Sequence, residues 1–343
     1  MKRADPSGVS SGAALYRDSI VADTTAPTPP FASFEASSEP SERVKPYRDA
    51  GITFAVFSIV DDFPNSIEQT IRLIARNRQY FLSRPDDFVL VECSDDVRKA
   101  KNAGKLAVAF AFQGSNALLG EIALVEAYRR LGVIQMLLAY NTANLAADGC
   151  HEDRNAGLTM YGRRLVAEMN RMGVIVDVTH VGLRSSLEAL ELTHKPPVFS
   201  HSTPKKFALH DRNITDEQIR ACATKDGVIG LTGLGLFMDS ESHTASVAKL
   251  CDTIEYVAQL VGARHAAIGL DYILDRDALA KYIRANPGTY GSGSQYPADG
   301  YIDFAPPSIL PAVAEELLRR RYSTDEVRGI LGENYLRVLD ANQ

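Results

Sequence analysis

No run of about 18 apolar residues occurs in this 343-residue chain, so no segment has the length of a membrane-crossing helix. Basic charge is short as well. With 37 Lys and Arg against 43 Asp and Glu, the net charge is -6, and without a basic excess nucleic acid is not an expected partner. Cysteine is scarce: Cys93, Cys150, Cys222 and Cys251 have neither metal-like spacing nor the density of a disulfide framework. The opening MKRADPSGVSSGAALYRDS starts basic but lacks an apolar stretch of about 7–15 residues, so a secretory signal is not expected there. What remains is a soluble, cytoplasmic protein with enough chain for a large core and a small molecule as its expected partner. A homodimer is a common state for such chains, although no segment specifies one.

The chain alternates apolar runs with helical patterns almost throughout. The strand candidates are SIVAD, GITFAVFSIV, KLAVAFAFQG, VIQMLLAYN, VIVDVTHV, PPVFSHS, VIGLTGLG and HAAIGLD. They are continuous rather than alternating, as parallel strands covered on both faces require. Helical stretches between them close on glycine in RRLGV, NRMGV and TKDGV, and Thr215 with Gln218 forms a capping-box start. Eight β-α units in one composition regime predict a single (β/α)8 barrel over residues 1–343. An open doubly wound sheet is the alternative, weakened because no G-x-G-x-x-G follows the first strand. A Pro/Ser/Glu-rich loop is expected at about 25–45. A Gly/Pro/Tyr-rich lid-like loop is expected at about 284–306, and C-terminal helices over 308–343.

In such a barrel the chemistry sits where strands end. Those positions hold Asp23, Gln113, Asn141, His180, His201 and Asp271. Adjacent strands lie about 4.8 Å apart, so His180 and His201, at the ends of consecutive strands, are placed to converge on one ion. Asp271 closes the last strand, where a carboxylate can ligate metal or act as a base. A strand-end histidine held only by structural hydrogen bonds is the simpler reading of each alone. His194, His243 and His265 read as surface residues. His151, in the polar ADGCHEDR, reads as solvent-exposed.

GLTMYGRRLVAEMNRMGVIVDVTHV, PPVFSHSTPKKFALHDRNITDEQI and LLRRRYSTDEVRGILGENYLRV together resemble the signature blocks of the renal-type (membrane) dipeptidase family. That family belongs to the metal-dependent amidohydrolase superfamily. The resemblance implies a (β/α)8 barrel, two zinc ions and hydrolysis of dipeptides. It also implies that His180 and His201 hold the second zinc and that Asp271 handles the proton of the attacking water. By the same resemblance, Arg212 pairs with the substrate carboxylate, a role that suits its bidentate fork.

Four positions depart from the family pattern. Its first strand ends D-x-H-x-D, whereas here Asp23 is followed by Thr25 and Pro27. Its bridging glutamate is Gln113, and its substrate-facing histidine is Tyr140. A neutral amide bridges two cations poorly. The expectation is therefore a hydrolase with one zinc or none, held by His180 and His201 with Gln113 or Asp271 as a further ligand. Tyr140 would donate to the developing oxyanion, Asn141 and Arg212 would contact substrate, and Asp23 would stand behind the metal site. Two other readings stay open: acid–base chemistry on a carboxylate substrate (epimerase, lyase or decarboxylase), and a catalytically inactive barrel kept for binding.

Overall fold

A computed structural model describes residues 11–32, 38–62, 66–290 and 295–343. Nine parallel strands run through it: β1 Ala22–Ala26, β2 Phe54–Asp61, β3 Phe88–Leu90, β4 Leu106–Gln113, β5 Val133–Leu137, β6 Ile175–Asp177, β7 Val198–Ser202, β8 Val228–Leu231 and β9 Ala266–Ile268. Eight of them form the wall in the order β1-β2-β4-β5-β6-β7-β8-β9. Those eight are the predicted runs, and helices alternate with them, so the chain is a (β/α)8 barrel. The ninth, β3, was not anticipated. It is three residues long, too short for its apolar pattern to stand out, and it pairs with β4 at Leu106–Val108. There β5 has not begun to pair, because its own register with β4 starts at Phe110.

One side-chain and one backbone hydrogen bond from just beyond β9 complete the closure onto β1. Asp23 Oδ1 accepts the Leu270 N–H at 3.0 Å, and the Asp271 N–H donates to Thr25 O at 3.2 Å. Thr24 Oγ1 donates towards both Ser200 O and Ile268 O across the barrel interior. That approach explains Gly230 and Gly269: a Cβ on either would sit 2.1 Å or 1.8 Å from Ser200 O. At the opposite end, Tyr335 of helix Asn334–Asn342 is wholly buried and donates its hydroxyl to Gln135 Oε1 at 2.7 Å. The C-terminal helix thus plugs the floor, and the strand C-termini are left as the mouth.

Local sequence explains the connections. Thr215 and Gln218 form the expected capping box, as do Ser66 with Gln69 and Ser323 with Glu326. Gly173 ends its helix in the left-handed region at φ 70°. In TKDG the left-handed residue is Asp226, at φ 58°, rather than Gly227. Gly227 is needed for space instead, since its Cβ would meet Pro197 O at 2.4 Å. The stretch expected as a loop at 25–45 contains the start of helix Pro40–Asp49, with proline in its first turn and a Glu39–Glu42 capping box. Residues 33–37 of it lie outside the described residues. The expected lid region is preceded by helix Arg276–Ala285 and includes the short helix Pro287–Tyr290; residues 291–294 are outside the description.

Candidate active site

The mouth brings Tyr140, Asn141, His180, His201, Arg212 and Asp271 together, with Gln113 on the facing wall. Backbone conformation marks the site. Asn141, His180 and Asp271 adopt left-handed φ values of 59°, 64° and 54° just past β5, β6 and β9. Non-glycine residues pay for that conformation, and Asn, Asp and His tolerate it best. In each case the left-handed residue sits where its strand gives way to the following loop.

The two histidines meet. His180 Nε2 and His201 Nε2 are 2.9 Å apart. Their outer nitrogens are each held by an oxygen: His180 Nδ1 lies 2.6 Å from Asn141 Oδ1, and His201 Nδ1 lies 2.8 Å from Ser200 Oγ and 3.1 Å from Thr25 Oγ1. An amide oxygen can only accept, so His180 Nδ1 carries the proton and its Nε2 presents a lone pair. With His201 in the same tautomer, two lone pairs point at one spot and repel unless a proton or a cation lies between them. Burial pushes both rings well below the usual histidine pKa, and the Arg212 charge pushes them further, which keeps them neutral as metal binding requires. The Tyr140 ring stacks on His180 with centroids 3.9 Å apart.

Arg212 is only 3 % exposed. It donates from Nη2 to His201 O at 3.0 Å, its Nε is buried without a hydrogen-bond partner, and no carboxylate among the described residues forms an ion pair with it. Asp271 Oδ2 stands 4.0 Å from His201 Nε2. Burial raises the Asp271 pKa to about 7, and the Arg212 charge opposes the rise. Burial likewise raises Asp23 to about 8.

The facing wall is different. Thr25 Oγ1 donates to Thr24 O, Gln113 Nε2 donates to Ser58 Oγ at 3.1 Å, and Pro27 has no side-chain donor atom. Among the described residues no group of three or more His, Cys, Asp or Glu side chains is arranged to hold a metal. Among the described residues the two facing imidazoles are thus the donors turned towards a common point, while Thr25, Pro27 and Gln113 present none of the His, Asp or Glu ligands expected of a second ion.

Two histidines depart from the sequence reading. His265 is buried, with Nδ1 2.8 Å from Gly227 O, rather than on the surface. The His151 side chain is 6 % exposed, with Nδ1 3.8 Å from Asp211. Its ring packs within about 6 Å of His210 and Tyr296. His210 was missed altogether. Its Nδ1 accepts the Arg212 N–H at 3.1 Å and so shapes the turn that carries the arginine. Its place two residues before Arg212 was the available signal.

Above the site is a cleft of about 850 Å³, a volume that includes its open mouth. Polar groups at its base give way to an apolar roof built from Leu234, Phe237, Ile283, Tyr290, Ile302 and Phe304.

The sequence pattern of the membrane dipeptidase family (peptidase family M19) matches residues 31–283. The dipeptidase aclJ of Aspergillus oryzae is 29% identical over 79% of this chain and 60% of its own length. A dipeptidase of Schizosaccharomyces pombe is 28% identical over 82% of this chain and 62% of its own. The chain thus spans about three-fifths of the length of these relatives. Among solved structures, an amidohydrolase from Pseudomonas aeruginosa superposes with a TM-score of 0.86 at 29% identity, covering 97% of this chain and 99% of that one. No helix among the described residues is long and apolar enough to cross a membrane. With the match extending over well over half its residues, the barrel described here belongs to the membrane dipeptidase family.

Proposed function

We propose that this protein is a hydrolase of a small carboxylate-bearing amide or dipeptide, working with one divalent ion at most. The observation that carries the reading is Arg212, a buried positive charge at the base of the cleft that forms no ion pair with a carboxylate among the described residues. Burying an unpaired charge is costly, and a ligand carboxylate would offset that cost with charge-assisted hydrogen bonds. His180 and His201 would hold the ion, taken to be zinc from the family, with Gln113 or Asp271 beside them. When bound, such an ion polarises a carbonyl and acidifies water.

The other roles follow from the chain's own groups. Asp271, with its pKa near neutrality, accepts a proton at Oδ2 and returns it to the leaving amine. Tyr140 keeps its proton, because burial holds its pKa well above the usual phenol range, and so it can donate to negative charge developing on the carbonyl oxygen. Asn141 fixes the His180 ring. The apolar roof keeps bulk water from the reacting groups. The four free cysteines are consistent with a cytoplasmic location.

The test compares Ala-Ala with its C-terminal amide in the native protein and in Arg212→Gln. Native protein should prefer the free acid by about 10- to 100-fold in kcat/KM, the range that a charged hydrogen bond supplies. Arg212→Gln should lose most of that preference. An equal preference in both proteins would remove Arg212 from the carboxylate site.

A further inference from the structure

The cleft has more apolar wall than a small polar dipeptide needs. We infer that it selects dipeptides whose N-terminal residue carries a large apolar side chain, received by helix Arg276–Ala285. This rests on the dipeptidase reading above and adds the substrate class.

Strand order separates the two ends of the cleft. Eight strands form the wall, and β2 and β7 stand four places apart in it, on opposite sides of the mouth. Arg212 is tied to β7 through His201 O, with its guanidinium 5.4 Å from the Phe237 ring. Asp61 ends β2. It lines the cleft together with Tyr282 of helix Arg276–Ala285. While Ile283 of the helix joins the apolar cluster that includes Phe237, Tyr282 reaches the β2 side, remote from the arginine. A dipeptide with its carboxylate on Arg212 directs its N-terminal residue there.

The inner face of that helix suits an apolar group. Leu279, Tyr282 and Ile283, spaced i, i+3 and i+4, all line the cleft, while Asp277 and Lys281 point elsewhere. Ile302 and Phe304 extend the surface, and Phe304 is held by an antiparallel bridge to Leu234. Leu279 is half-buried and is outside the main barrel core, so its side chain is available to a ligand. An apolar wall of this kind is costly to keep wet and gains when a hydrocarbon group covers it. A roof that served only to exclude water would not discriminate between side chains.

The experiment uses the full chain and three dipeptides with the same C-terminal residue: Gly-Ala, Leu-Ala and Phe-Ala. Turnover is followed by release of alanine, and binding by calorimetry. We expect kcat/KM for Phe-Ala and Leu-Ala to exceed that for Gly-Ala by about tenfold or more, as a filled apolar pocket allows. In Leu279→Asp the Phe-Ala to Gly-Ala ratio should fall about tenfold. In Leu279→Trp, which fills the wall without adding charge, the same ratio should also fall. Circular dichroism and the denaturation midpoint of each variant establish that it is folded.

Equal kcat/KM for all three dipeptides in the native protein overturns the inference while leaving the hydrolase reading intact. Tighter binding of Phe-Ala than Gly-Ala, with none of the three cleaved, supports the inference and overturns hydrolysis instead. Variants that slow all three substrates by the same factor make the helix a water-excluding cover, which also overturns the inference.

Discussion

The two walls of the barrel mouth handle polar side chains in opposite ways. On the β5–β7 side, Asn141 and Ser200 take the outer nitrogens of His180 and His201, so that the inner nitrogens face each other at 2.9 Å in the open centre. On the β1–β4 side, Gln113 bonds back to its own wall at Ser58 Oγ, and Thr25 Oγ1 donates to Thr24 O while its own oxygen backs His201 Nδ1 at 3.1 Å. Both walls are buried and both are polar. Only one leaves lone pairs aimed at a common point. Ligand capacity is thus a matter of direction, set by the partner behind each side chain, as well as of residue type.

The sharpest way to break the comparison is to remove one of the aimed nitrogens. In His201→Ala the remaining imidazole cannot hold an ion alone, and turnover should fall by at least about 100-fold with loss of bound metal. Elemental analysis and dipeptide hydrolysis measure the two effects separately. Full metal content in this variant would show that the β1–β4 wall, against its hydrogen bonding, supplies the ligands.

A smaller effect tests whether the β1–β4 wall is neutral. Asp23 stands on β1 with Oδ1 accepting two backbone N–H groups and Oδ2 buried without a partner. Burial raises its pKa to about 8, against about 3.9 for an unfolded aspartate. Between these values the folded chain holds a proton that the unfolded chain has lost. The stability this contributes is fully present below about pH 4 and is lost as pH rises towards 8. Asp23→Asn keeps the accepting oxygen and cannot ionise, so it should flatten that part of the profile. Denaturation midpoints at pH 5 and pH 8 should converge in the variant by about 1 kcal/mol or more relative to the native protein. An identical slope in both proteins would mean that Asp23 is already ionised and that the wall is charged.

Much of this was legible in the sequence, for identifiable reasons. Continuous apolar runs marked the eight wall strands because both faces of each are covered, and their final polar residues marked the mouth. The capping box at Thr215 was readable because it is local. β3 was not readable: three residues carry no period. The burial of His151 was hidden for a different reason. Its neighbours His210 and Tyr296 lie 59 and 145 residues further along the chain, so the polar loop around it gave the wrong impression. The apolar face of helix Arg276–Ala285 was written in the spacing of Leu279, Tyr282 and Ile283, yet the residues it packs against, among them Leu234, Phe237 and Phe304, are not local to it. Long-range partners decide such cases.

The smallest expected effect concerns Gln113, and it is the most informative about the comparison. Gln113→Glu restores a charge at a position where the family places a bridging carboxylate, and charge alone favours a cation. Yet the new carboxylate would stand beside Pro27, which has no donor atom, and Thr25, whose hydroxyl donates to Thr24 O and lies 3.1 Å from His201 Nδ1. Zinc wants about four ligands, and one carboxylate cannot replace its water shell unaided. The replacement also gives up the amide N–H that now donates to Ser58 Oγ, although the serine hydroxyl can turn and donate to the glutamate instead. The variant should therefore fold and bind the same number of metal ions as the native protein, with at most a tighter hold on the one between His180 and His201. Metal stoichiometry after dialysis against excess zinc checks this directly. A gain of one full equivalent in Gln113→Glu would mean that direction is not decisive and that a single charge is enough to turn the second wall into a metal site.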